Sequence, residues 1–214
     1  MSKLKSSPLL LFFGVIAVVV IATLFGPEEK SLGANVRLVY LHGAWVIAAE
    51  MSLIAAAIAG ALALLGRFVP ALAAQQDALH RWSAALGRTG ILFWVTYLPL
   101  SMLAMQTNWN GLFLSEPRFR LALTFAIVGV LMQAGLWIIN TPWLTSAANI
   151  AFIITLRVVF STAAYIMHPP PSPIFNSGNM VIIGFFVGLN LLAWLAAYFL
   201  TRWFLTLTPK TASQ

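Results

Sequence analysis

The chain has 214 residues, of which 61% are apolar and 8% charged, with a net charge of +7 and no cysteine. Soluble domains carry roughly a quarter charged residues, so a chain of this composition and a mean hydropathy of +0.92 needs lipid to cover its surface. The missing cysteines exclude disulfides, thiolate metal sites, iron–sulfur clusters, CxxCH haem attachment and cysteine nucleophiles. The positive charges stand singly at the ends of apolar runs, a pattern of membrane topology rather than of a nucleic-acid surface.

A bilayer core of about 30 Å needs about 20 apolar residues per helix. On that measure the sequence predicts an all-α polytopic membrane protein, a single transmembrane domain over 1–214 built as a bundle of about six helices. The first span, about 8–25, follows Lys3 and Lys5; no small-x-small cleavage site precedes Pro27, so it reads as a retained anchor. The second covers about 38–65 and stops before Arg67. A polar, partly amphipathic connector from Gln75 to Arg88 leads to a third span at about 89–106. His80, beside Arg81 and Trp82, falls in that connector and reads as a surface histidine. The loop TNWNGLFLSEPRFR precedes a fourth span at about 121–139. Asn140, Thr141 and Pro142 join it to a fifth at about 144–167, ended by prolines 169–171, which supply no backbone donor and clash with the preceding turn. A sixth span runs over about 180–205.

Lys3, Lys5, Arg67, Arg81, Arg88, Arg202 and Lys210 fall on the side of the termini, against Lys30, Arg37, Arg118 and Arg120 on the other. The excess of basic residues predicts a multi-pass protein of the cytoplasmic membrane with both termini in the cytoplasm. Trp94, Trp137, Trp143, Trp194 and Trp203 read as interface anchors.

Two of the three histidines, His42 and His168, fall at helix ends on the face opposite the termini. The loop holding Trp109 and Glu116 emerges there too. Two neutral imidazoles facing each other across a gap suit bis-histidine ligation of a haem iron. The same residues also suit a plain interfacial role, with the polar ring tip among headgroups. Arg37, Arg118 and Arg120 are candidates to pair with haem propionates. Trp45, three residues after His42, shares its helical face and is a candidate to line a cofactor site.

Glu50 lies eight residues past His42, and Arg157 eleven before His168, about 12 and 16 Å deeper at 1.5 Å per residue. Charges at that depth need a partner or water. Their opposite signs predict an ion pair between the second and fifth spans, acting as a clamp or as part of a proton path. Gln133 is expected to bond between helices. P-loop, GxSxG, HExxH and paired-carboxylate signatures do not occur, so no catalytic residues are assigned and a non-enzymatic role is expected.

Three segments carry a family resemblance. VYLHGAWVIAAEMSLIAAAIAGALALLGR resembles the second helix of the haem-handling cytochrome c assembly family, of the cytochrome c maturation protein C kind. VVFSTAAYIMHPPPSPIF, with Met180 and a last helix ending at Arg202, is similar to that family's later histidine and final span. NWNGLFLSEPRFRLALTF falls where the family has its tryptophan-rich loop, reduced here to Trp109, Gly111 and the Glu116-Pro117-Arg118 turn. The resemblance, which covers roughly Leu38 to Arg202, implies that His42 and His168 are axial haem ligands and that Trp109 belongs to a haem-presenting platform. It implies haem transport toward a haem chaperone or apocytochrome c, alongside ABC-transporter subunits in one branch. Two other readings compete: a non-catalytic subunit of a larger respiratory, photosynthetic or transport complex, and a small transporter whose path runs past Glu50 and Arg157.

Overall fold

The structure, a computed structural model, describes residues 7–163 and 173–207. His168 and prolines 169–171, on which part of the sequence reading rests, lie outside the described residues. Among those described, every regular element is a helix, with turns between them and an isolated bridge between Glu29 and Gly33. The helices are α1 (Pro8–Leu24), α2 (Val36–Leu65), the short α3 (Pro70–Ala73), α4 (Gln76–Trp109), α5 (Pro117–Ile139), α6 (Pro142–Ser161), the short α7 (Pro173–Asn176) and α8 (Met180–Leu207). Five of them are long and apolar enough to cross a membrane, and α1, with 17 residues, is the shorter sixth apolar helix.

Proline starts α1, α5 and α6 at the first helical position, where its missing N–H leaves no bond unmade. Asn110 and Asn140 adopt left-handed backbone at the ends of α4 and α5, the conformation that turns the chain out of a helix. The span boundaries agree with the sequence reading except at two places. The stretch read as a connector, 75–88, is the first third of α4, which runs unbroken through Pro99 to Trp109. In addition, α6 ends at Ser161, short of the expected 167.

At the centre α2 and α4 pack along most of their length, with α6 and α8 on either side. On the outside, α5 lies against α4 and α6, and α1 against α8. Small residues let α2 and α4 approach: Gly60 on α2 faces Ser83 on α4, and Gly90 on α4 faces Leu53 on α2. Backbones approach so closely that a Cβ at Gly90 would stand 2.6 Å from the Leu53 side chain. In lipid, helices associate through such contacts and through polar side chains, because lipid tails are as apolar as leucine. Large apolar residues such as Leu131 and Ile138 (84% exposed) face outward, toward the bilayer.

A chain of buried hydrogen bonds sets the register of the helices. The Gln133 amide donates to Asn149 Oδ1 (2.8 Å), and Asn149 Nδ2 donates to the Ser83 carbonyl (2.9 Å), tying α5, α6 and α4. Thr89 and Thr201 hydroxyls meet at 2.9 Å between α4 and α8. Trp94, expected at an interface, is fully buried, and its indole donates to the Ala122 carbonyl (3.0 Å).

The α1–α2 loop is held by Glu29, whose carboxylate accepts from the Ser31 hydroxyl, the Ser31 N–H (2.8 Å) and the Leu32 N–H (3.0 Å). The Ser31 hydroxyl, and after it these N–H groups, hold the Glu29 carboxyl below its usual range, outweighing partial burial. A lowered folded-state pKa contributes stability above the unfolded value that is lost on acidification. The protection of the Ser31 and Leu32 amides, measured as exchange relative to the intrinsic rate at each pH, should therefore fall as pH drops below 4.5, and Glu29→Gln should remove that dependence. For the bundle, Gly90→Ala should destabilise by about 1–3 kcal/mol through overpacking. Gly14→Ala, where a Cβ meets nothing within 4 Å, should be neutral within about 0.5 kcal/mol; thermal melts in mild detergent compare them.

Candidate functional site

Residues three or four apart share one face of a helix. On α2 that spacing aligns Val39, His42, Val46 and Glu50, and on α4 it aligns Tyr97, Ser101, Met105 and Trp109. The two stripes face each other across a cavity of about 450 Å³. Arg157, Phe160 and Ser161 from the end of α6, and Glu116, Arg118 and Phe119 from the start of α5, complete its wall.

The elements that bring these side chains there are local and simple. Trp109 is the last residue of α4, immediately before the left-handed Asn110. Glu116 caps α5, accepting from the Phe119 N–H at 2.6 Å, and Pro117 takes the first helical position, so Arg118 and Phe119 are fixed in the opening turn. His42 is half-buried, its ring centroid 5.6 Å from that of Tyr97 at a tilt of 57°.

The expected ion pair forms. Arg157 Nη1 donates to both Glu50 oxygens, at 3.1 and 2.9 Å, and links α2 to α6. It is not a sealed clamp, since the Arg157 side chain is 60% exposed and that of Glu50 26%. By helix rise the pair lies about 12 Å from His42 along α2, so the cavity runs from an aromatic and charged rim down to a charged floor. The pair gives each charge at that depth the partner it needs.

Of the site residues the sequence pointed to, the structure brings His42, Trp109, Glu116, Arg118, Glu50 and Arg157 to one cavity. Three others go elsewhere. Trp45 stacks on Phe93 (4.7 Å between centroids) and donates from Nε1 to Thr96 Oγ1 (2.9 Å), one side of the cavity stripe. Arg37 donates to the Gly26 carbonyl (2.9 Å) and pairs with Glu28 (3.5 Å). Arg120 is exposed and takes no part in the cavity wall. Sequence reasoning missed Tyr97, Ser101 and Met105, although their four-residue spacing leads directly to Trp109. Among the described residues no group of three or more His, Asp or Glu side chains stands close enough to hold a metal ion unaided.

Comparison with protein-family models, with curated proteins and with solved structures finds no match to this chain.

The floor pair has a direct test. Removing either charge leaves the other at depth without its partner, so the effects of Glu50→Gln and Arg157→Gln should sum to more than the destabilisation of the double variant. The double variant should recover a coupling of about 0.5–3 kcal/mol, measured by thermal melts of the four proteins in one detergent.

Proposed function

We propose that this chain is a haem-handling protein of the cytoplasmic membrane that assists cytochrome c assembly, with haem as its cargo and His42 and His168 as the axial ligands. One observation carries the reading: His42, Trp109 and Arg118, from two of the segments singled out by the family resemblance and from three different helices, line a single cavity. The wall also suits the cargo chemically. Val46, Phe119 and Phe160 offer apolar and aromatic surface to a porphyrin, and pockets of a few hundred Å³ with few convergent polar groups are the usual form of a cofactor-sized site.

Each residue has a distinct part in this scheme. The His42 imidazole, held beside the Tyr97 ring, gives one neutral nitrogen to the iron. Arg118, fixed at the start of α5, pairs with a propionate through a planar fork of donors. Trp109 and the turn from Asn110 to Glu116 form the rim at which a haem chaperone or apocytochrome c takes the cargo, with ABC-transporter subunits as further partners. The excess of basic residues on the side of the termini supports a reading with both termini in the cytoplasm and this rim on the outer face. The chain itself makes and breaks no covalent bond.

Haem added to the detergent-solubilised protein should give a Soret band. His42→Ala, His168→Ala and the double variant should weaken it stepwise to loss. Arg118→Gln should lower retention about tenfold, the worth of a charged hydrogen bond. Full colour in the double histidine variant would end the haem reading. Colourless protein that co-purifies in fixed ratio with large partners would replace it with that of a non-catalytic subunit of a larger complex.

A further inference from the structure

A second cavity, of about 270 Å³, lies at the opposite end of the bundle, on the side of the termini. Its α4 wall carries Asp77, His80, Arg81 and Arg88, spaced to share one helical face. Its other wall is the turn from the end of α5 into α6, Asn140 to Thr145. His80, read from sequence as a surface residue, is only 7% exposed: its Nδ1 is bonded to Ser146 Oγ on α6 at 2.7 Å. The ring is thus locked in the cavity wall by one nitrogen.

Three features give this cavity an affinity for negative charge. Arg81 spends one Nη2 donor on the Leu205 carbonyl at 3.4 Å, while its Nε–H is buried with no acceptor among the described residues. Arg88 is laid flat over the Trp137 ring, 3.9 Å from its centroid. The first turn of the twenty-residue α6 opens onto the same space, and Thr141 makes no side-chain cap there. Its leading N–H groups carry the partial positive charge of a helix start. Against two guanidiniums and this helix end stands one carboxylate, Asp77.

Arg88 belongs to a third hollow as well, an apolar groove of about 500 Å³ between α4 and α5. Ile91, Leu92 and Val95 on α4 and Val130, Ala134 and Ile138 on α5 line it. With Trp109 at one membrane surface, twenty residues of helix span the roughly 30 Å hydrocarbon core. That count puts the other boundary beside Arg88. The basic cavity therefore falls at headgroup level and the groove begins at acyl-chain level, joined by one guanidinium.

We propose that these two hollows together bind one anionic phospholipid, its phosphate between Arg81, Arg88 and the start of α6, and an acyl chain along the α4–α5 groove. A free phosphate shares the headgroup chemistry but leaves the groove without a role.

Native mass spectrometry of the full-length protein in defined mixtures of phosphatidylglycerol and phosphatidylcholine tests this. Phosphatidylglycerol should be retained selectively. Arg81→Gln with Arg88→Gln should reduce that retention roughly thirtyfold, the combined worth of two basic residues near an anionic lipid surface. Leu92→Trp, at a 41% exposed position where added bulk is tolerated by the fold, should reduce it with both arginines intact. Equal retention of the two lipids, or unchanged selectivity in the arginine variant, would overturn the proposal. So would displacement of phosphatidylglycerol by millimolar inorganic phosphate together with no effect of Leu92→Trp, which assigns the cavity to a free anion. If the arginine variant fails to fold by circular dichroism, the wild-type lipid preference and the Leu92→Trp comparison decide alone.

Discussion

Lipid gives helices no hydrophobic reason to associate, so this bundle depends on how closely α2 and α4 can bring their backbones together. Gly60 and Gly90 lie where the two helices meet, and the Gly90 contact leaves no room for a methyl group. Toward the other end the same two helices carry Tyr40, His42, Tyr97, Met105 and Trp109. The first cavity opens there, between the α2 stripe of His42 and the α4 stripe of Tyr97 and Trp109.

Polar side chains then fix what packing leaves free. A helix sliding along its neighbour would strand Asn149 or Gln133 in an apolar interior, where an unmet hydrogen bond costs about 1–3 kcal/mol. The bonds from Gln133 through Asn149 to Ser83, between Thr89 and Thr201, and between His80 and Ser146 mark one register for α4, α5, α6 and α8. Since α4 and α6 both line the first cavity, and the second cavity too, this register also aligns the two sites.

Hydropathy alone made the spans legible, because a bilayer imposes length and apolarity on any crossing helix. The Glu50–Arg157 pair was legible for a related reason: two opposite charges at matching depth have few other partners. The 75–88 stretch was misread because its charges suggest a connector, whereas they occupy one face of a helix that projects beyond the hydrocarbon. His80 was misread because its partner, Ser146, lies 66 positions away and neither residue signals the other. Trp45 was placed at the cavity on a three-residue offset from His42. The stripe instead continues through Val46 to Glu50, and the indole turns to Phe93 and Thr96. Convergence of the loop and helix residues on one cavity is a property of the α4–α5 turn, which no single segment encodes.

The open Arg157–Glu50 pair has an electrical consequence. Water that reaches this guanidinium through the cavity carries the aqueous potential of that face inward by about the 12 Å between His42 and Glu50. The membrane voltage then drops over a thinner insulating layer, the small-residue seam beneath the pair. A charge moving between the cavity floor and the opposite surface would cross nearly the whole field within that shortened distance.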